Sequence, residues 1–403
     1  MTGSGPADLS SRRMDAAGSG RTTFIFAGGG TGGHLYPGLA IARALEELAA
    51  RRPVRSVFLC SERSIDRGIL EGEGVSFEPV PARPASVRPR GLVRFVRSWG
   101  PSVRRARAVI RAARDEGTVR VVAMGGFVAA PVVQAARAER VPVTLVNLDA
   151  VPGKANRWIA RRASEVVTAL PVEGVLARDW ALVPPIVRRE AVAPADPARC
   201  RRELGLDPAR PVLMVTGGSQ GARTLNNLLV ELVRRDPGAL RGWQVVHQCG
   251  RGEDEPVEGA YRLANVPALV CEFVREMATW WGAAELAVSR CGAGSVGEAW
   301  ANQVPALFLP YPYHRDEHQR HNAAALVRAG GAVLARDHAD TETNAREILP
   351  VLAALLRGAP RRAEMRAALR RLGPADGATR VARQLLDAAG TSTRPRSGLL
   401  SGP

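Results

Sequence analysis

Thr23-Phe24-Ile25-Phe26-Ala27-Gly28-Gly29-Gly30-Thr31-Gly32-Gly33-His34 begins with an apolar run of strand length and breaks into a glycine loop. Beyond it, Tyr36-Pro37-Gly38-Leu39-Ala40-Ile41-Ala42-Arg43-Ala44-Leu45 has the spacing of an amphipathic helix. A strand, a glycine loop and a helix are how a backbone builds an anion site. Glycines permit close approach, and the helix N-terminus presents unpaired N–H groups. The loop ends in His34, whose imidazole can move a proton near neutral pH. The pattern alone is shared by tight turns and by many nucleotide-binding folds.

Outward from this loop, apolar strands alternate with helix-length segments. The spacing predicts strands over Thr23–Ala27, Ser56–Cys60, Val119–Met124, Val141–Val146 and Glu165–Thr168, with helices such as Leu39–Ala50, Gly126–Ala138 and Ala155–Ala163 between them. A Pro-rich stretch around Pro184-Pro185 and Pro194–Pro197 follows. A second series then begins, with strands over Pro211–Thr216, Gln244–Gln248, Ala268–Cys271, Leu286–Ser289 and Ala306–Pro310. It too opens on a strand and a glycine loop, Gly217-Gly218-Ser219-Gln220-Gly221-Ala222-Arg223. Alternating β and α means parallel strands with crossover helices, and ligands sit beyond the strand C-terminal ends. The fold class is therefore α/β: two facing Rossmann-like domains with parallel sheets and a cleft between them.

The chain of 403 residues is long enough for two domains, and its 46% apolar content fits a globular protein. Residues 1–21 are rich in Gly, Ser and Arg and lack an apolar core segment, so they read as a disordered lead-in and not a signal peptide. Residues 390–403 read as a disordered tail. No uninterrupted apolar run reaches the length of a membrane span. The cysteines, Cys60, Cys200, Cys249, Cys271 and Cys291, form no CxxC pair, which points to a reduced protein with no zinc site. The net charge of +17 is carried by arginine, since Lys154 is the only lysine. No helix-turn-helix, zinc-finger or aromatic RNA-binding pattern accompanies it, so no nucleic-acid partner is expected. Neither glycine loop has the dinucleotide GxGxxG context. Glu62, after the second strand, is the residue a dehydrogenase reading would place on a ribose.

The strings GGGTGGHLYPGLAIA, GGFVAAP, VPGKANRW, GGSQGARTLN, CEFVREMA, SRCGAGSVGEA and HRDEHQRHN occur in this order. Together they resemble the MurG family of GT-B glycosyltransferases, from about residue 22 to residue 385. The resemblance implies inverting transfer of N-acetylglucosamine (GlcNAc) from UDP-GlcNAc to the C4 hydroxyl of a lipid-linked MurNAc-pentapeptide, the undecaprenyl-pyrophosphoryl precursor of peptidoglycan. It implies an acceptor and membrane-binding domain over residues 22–187 and a UDP-sugar domain over 188–375. A last helix at 376–389 would return to the first domain, with Asp376 as its N-cap. No resident metal or cofactor is required, a divalent cation acting only as a stimulant. The expected location is the cytoplasmic face of the cell membrane, held peripherally.

On the donor side, Ser289–Glu298 reads as strand, glycine turn and helix start, suited to a diphosphate. The resemblance assigns Glu298 to the ribose hydroxyls, though the helix dipole also favours a Glu there. Ser219 matches a phosphate-contacting serine and also suits an N-cap. Arg188 matches an arginine near uridine and phosphates, and Val274 a residue whose backbone reads uracil. Gln319 and Asn322 match GlcNAc contacts, with His318 standing where the family has a glutamine.

On the acceptor side, Thr31, Gly32 and Gly33 are assigned to the lipid diphosphate, Asn156 is retained, and His34 is the leading base or acceptor-orienting group. The family's His-Glu-Gln-Asn string is replaced by Val146-Asn147-Leu148-Asp149, and its Tyr in the preceding glycine turn by Phe127. Asp149 is the second candidate base, because a cleft can raise a carboxyl pKa. From Arg83 to Arg114, arginines including Arg94 and Arg97 interleave with Leu92, Val93, Phe95, Val96 and Trp99. Such a segment suits an anionic membrane surface or an ordinary amphipathic helix packing inward. The altered acceptor string keeps two further readings open: a related transferase with another lipid acceptor, and an inactive UDP-sugar-binding scaffold at the membrane.

Overall fold

The computed structural model describes residues 21–49, 53–86, 88–172, 179–194, 196–218, 221–313 and 318–391. The lead-in up to residue 20, the tail from 392, Ser219 and the side chain of His318 lie outside the described residues.

The first domain holds β1 (Arg21–Ala27), β2 (Val54–Ser61), β3 (Ser76–Val80), β4 (Gly117–Ala123), β5 (Val143–Asn147), β6 (Glu165–Thr168) and β7 (Ala181–Leu182). They form one parallel sheet in the order β3-β2-β1-β4-β5-β6-β7. Its helices are α1 (Gly32–Ala49), α2 (Ser64–Gly72), α3 (Pro89–Glu116), α4 (Gly126–Ala138) and α5 (Lys154–Ala160). β1 is buried from Thr23 to Ala27 because both faces of the sheet are covered. Phe24 and Phe26 join Leu39, Ile41 and Leu45 of α1, while Ile25 and Ala27 join Ile110 of α3 and Val132 of α4.

The second domain opens with α6 (Pro197–Glu203), β8 (Val212–Thr216), α7 (Arg223–Arg235), β9 (Gln244–Gln248), α8 (Asp254–Leu263) and β10 (Ala268–Cys271). It continues through α9 (Met277–Ala283), β11 (Ala284–Ser289), α10 (Ala293–Ala301), β12 (Ala306–Phe308), α11 (His318–Ala329), β13 (Ala332–Leu334), α12 (Thr341–Arg357) and α13 (Ala359–Arg371). Its parallel sheet runs β10-β9-β8-β11-β12-β13. The last helix, α14 (Gly377–Thr391), leaves this domain and buries Val381, Ala382 and Leu385 in the cluster that holds Phe24 and Phe26. Asp376 bridges Ile186 ahead of it. Arg120, buried in β4, donates from Nη1 to the Ala388 carbonyl at 3.1 Å and ties the helix down.

Some boundaries differ from the sequence reading. β1 already includes Arg21, and α14 runs on to Thr391. α1 begins at Gly32 rather than Leu39, which puts Gly32, Gly33 and His34 into its first turn. Pro37 lies inside the helix, where its missing N–H costs one backbone bond near the N-terminus. β3, β7 and β13 are too short or too exposed to read as apolar runs. Among the described residues, no helix is long and apolar enough to cross a membrane.

Candidate active site

Both glycine loops lie at the C-terminal ends of the central strands and face the cleft. The first is pinned by Asp66 of α2, whose carboxylate is fully buried. It accepts from Gly30 N at 2.7 and 2.9 Å, Ser61 N at 3.0 Å and Ser61 Oγ at 2.6 Å. Sequence reasoning missed Asp66. Its only signal is a carboxylate in the first turn of the helix after β2, and the loop it holds is distant in sequence. Glu62, the ribose candidate of the dehydrogenase reading, is instead exposed and paired with Arg83.

His34 stands in the first turn of α1. Its Nδ1 lies 3.1 Å from the Met124 carbonyl. A carbonyl only accepts, so Nδ1 carries the proton and Nε2 keeps its lone pair. A Cβ on Gly126 would stand 3.2 Å from that Nε2, so glycine there leaves room beside it. Burial pushes the imidazole below its ordinary range, while the Asp149 charge, the Met124 bond and Asp66 partly restore it. The surroundings of His34 therefore favour its neutral form.

On the opposite wall the N-termini of α7 and α10 converge on one cavity of 960 Å³. Gly217, Gly218, Gly221, Gly292 and Ser295 line it, and Thr31 reaches it from the first domain. Two helix N-termini aimed at one space make an anion site. Gly221 has φ +68°, and a Cβ there would fall 2.4 Å from the Cys249 carbonyl, so the second loop requires glycine. Ser219, the expected phosphate contact in this loop, lies outside the described residues.

Arg290, at the same cavity, pairs with Asp337 at 2.7 Å and donates to Thr224 Oγ1 at 2.6 Å and to the Leu309 and Pro310 carbonyls. Burial raises the Asp337 carboxyl, but bonds from Thr224, Asn344 and the Ala339 N–H, with Arg290, hold it below the usual range. Arg290 was missed in the sequence because arginine is so abundant there. Gln319 lines the same cavity and accepts from Tyr311 N at 2.9 Å.

A second cavity of 640 Å³ gathers Arg188, Val274 and Glu298. Glu298 Oε2 accepts from Trp281 Nε1 at 2.9 Å. Burial raises its carboxyl above the ordinary range, against the pull of Trp281 and Arg188. Arg188 lies 3.7 Å above the Tyr36 ring of α1, so the first domain closes this cavity too. Gly32 and Gly33 line it. Thr31, Gly32 and Gly33, expected at the acceptor diphosphate, thus border the same cavities as the second domain's glycine turns.

Two further residues named from the sequence are buried. Asn156 is buried and donates from Nδ2 to Asn147 Oδ1 at 3.0 Å. Asn322 is fully buried, and its amide is engaged by Asp149 and Ala150 of the first domain. Asp149, the second candidate base, is the partner of that amide. In α3, Leu92, Val93 and Val96 are exposed by half or more, with Arg94 and Arg97 exposed beside them. Trp99 turns inward instead, donating to Gln134 Oε1 at 2.7 Å and packing edge-on against Trp158, with Phe95 half-buried against it.

Comparison with known proteins gives this geometry a family. The glycosyltransferase family 28 N-terminal domain matches residues 24–168, and the family's C-terminal domain matches 212–381. A Clavibacter sepedonicus protein named UDP-N-acetylglucosamine--N-acetylmuramyl-(pentapeptide) pyrophosphoryl-undecaprenol N-acetylglucosamine transferase is 35% identical over 93% of this chain and 99% of its own. A Nocardioides protein of the same name is 36% identical over 92% of this chain and 99% of its own. Among solved structures, Acinetobacter baumannii MurG superposes with a TM-score of 0.66 at 22% identity, covering 91% of this chain and 99% of that one. A Listeria monocytogenes protein titled putative UDP-N-acetylglucosamine 2-epimerase gives 0.61 at 14% identity, covering 94% of this chain and 98% of that one, so the fold alone does not select a reaction. On sequence, the chain belongs to glycosyltransferase family 28, among its MurG transferases.

Proposed function

We propose that the protein transfers GlcNAc, with inversion, from UDP-GlcNAc to the C4 hydroxyl of undecaprenyl-pyrophosphoryl-MurNAc-pentapeptide. The observation that carries this reading is the convergence on one cleft of two helix N-termini, Arg188, Val274 and Glu298 from one wall and the Thr31–Gly33 loop, followed by half-buried His34, from the other. The uridine occupies the cavity of Val274 and Glu298, and Glu298 Oε1 accepts from the ribose. The diphosphate lies on the α7 and α10 N-termini, with Arg188 in the adjoining cavity. Gln319 faces the sugar. The acceptor oxygen attacks the anomeric carbon as the bond to the diphosphate breaks and UDP departs with the electron pair. His34 Nε2 takes the hydroxyl proton. The helix N-termini meet the charge that develops on the leaving group. No resident metal is needed, and an added divalent cation stimulates by sharing that charge.

Exposed Leu92, Val93 and Val96, set among Arg94 and Arg97, hold the first domain peripherally on the anionic cytoplasmic face of the membrane. A different lipid acceptor is the second reading, favoured by Asn147, Leu148 and Asp149 in the acceptor loop. UDP release from UDP-GlcNAc tests the assignment. Release that requires the MurNAc-pentapeptide lipid supports it. Release only with another lipid supports the second reading, and tight UDP binding without release points to an inactive scaffold.

A further inference from the structure

One side chain of the donor domain is buried in the acceptor domain. Asn322, on α11, donates from Nδ2 to Asp149 Oδ1 at 2.9 Å and accepts at Oδ1 from Ala150 N at 2.9 Å. Its Nδ2 also lies 3.4 Å from the Cys291 carbonyl, in the donor glycine turn. The Asp149 carbonyl accepts from Asn147 Nδ2 at 2.7 Å, and that amide also donates to Thr168 Oγ1 at 3.0 Å. Asn147 Oδ1 accepts from Asn156 Nδ2. Asn156 in turn presses on Gly125, where φ is +96° and a Cβ would stand 2.6 Å from its Oδ1. Gly125 follows Met124, whose carbonyl orients His34. A polar chain therefore runs from the donor glycine turn, across the cleft, to Asn156, which packs against the glycine turn that follows Met124.

Buried amides that satisfy both ends, with one carboxylate among them, define a single geometry and are costly to half-break. Other contacts between the domains gather near the linker: Arg43 with Glu190, Arg189 with Glu47 at 3.5 Å, and Arg188 on Tyr36. Those side chains are largely exposed or tied to the connection itself. The Asn322 bridge is instead made by the helix that carries Gln319, so it joins the sugar-facing element to the acceptor loop.

We propose that Asn322 and Asp149 are a paired positioning latch: their bridge, with Ala150 N, closes the two domains and sets His34 against the donor turn, rather than Asn322 binding the sugar and Asp149 acting as base. The proposal rests on the transferase reading above for its kinetic consequences, but not for its structural ones.

The test is a double-mutant cycle on the full-length protein with Asn322→Ala, Asp149→Ala, the double variant and the conservative Asp149→Asn. Each alanine variant is expected to lower kcat by about tenfold to a hundredfold, through misplacement of the base. UDP affinity, measured without acceptor, is expected to stay within about threefold, since no UDP contact is lost. The double variant should be no worse than either single one, because both remove the same bridge. Asp149→Asn keeps an acceptor for the Asn322 amide and should recover to within about tenfold of wild type. Additive losses, or an Asp149→Asn variant as inactive as Asp149→Ala, would overturn the latch and restore the sugar-ligand and base roles. Paired spin labels on the two domains supply an independent readout. Widening of the interdomain distance in Asn322→Ala supports the latch even if the wild-type protein transfers no sugar, in which case it is the transferase reading that fails. An unchanged distribution in every variant refutes the latch.

Discussion

His34 is where charge state and geometry meet. Its protonated form cannot accept a proton, and burial disfavours that form. The acid limb of kcat/KM should therefore lie below the ordinary imidazole value of about 6.5, and activity should persist further into acid than an exposed histidine would allow. The groups that raise the imidazole are Asp149, the Met124 carbonyl and Asp66, so neutralising Asp149 as Asp149→Asn should move that limb to still lower pH. A limb that moves upward would contradict the assignment. His34→Ala should lower kcat by about 10²–10⁴-fold while UDP still binds. Asp66 makes a prediction of a different kind, since its carboxylate satisfies backbone and hydroxyl donors in a dry site. Asp66→Ala should lower the unfolding free energy by about 1–3 kcal/mol in urea titrations.

At the scale of elements, the central strands were legible because parallel strands covered on both faces read as unbroken apolar runs. β3 was not, since Ser-Phe-Glu-Pro-Val at a sheet edge is only partly covered. The glycine loops and the Glu298 turn were legible from local spacing. The partners of Asp66, Asn156 and Asn322 were not, because each hydrogen bond joins elements whose adjacency only the tertiary fold creates. Arg290 lies in a quoted motif but was hidden by the abundance of arginine. In α3, amphipathic spacing grouped Trp99 with Leu92, and only packing separates them: Trp99 is half-buried against Trp158, whereas Leu92 is exposed. The division is measurable. A Leu92→Asp/Val96→Asp variant should lose most binding to anionic vesicles without losing thermal stability. Trp99→Ala should lower stability by about 1–3 kcal/mol. Binding of the wild type should fall with added salt. Equal partitioning onto neutral and anionic vesicles would count against the membrane role of this helix.

For the whole molecule, the last helix matters as much as either sheet. α14 leaves the second domain and completes the core of the first, so the two share one chain crossing at Pro184–Val187 and another at Asp376. That double connection keeps the walls in register while the cleft between them receives its ligands. The central claim is that this cleft joins GlcNAc to a MurNAc-pentapeptide lipid, and the most direct check is mass and linkage analysis of the lipid product after incubation with UDP-GlcNAc and that acceptor. The account predicts a product heavier by one N-acetylhexosamine, β-linked to the C4 hydroxyl of MurNAc, with one UDP released for each sugar transferred. An unmodified acceptor, in the presence of protein that binds UDP, would contradict it.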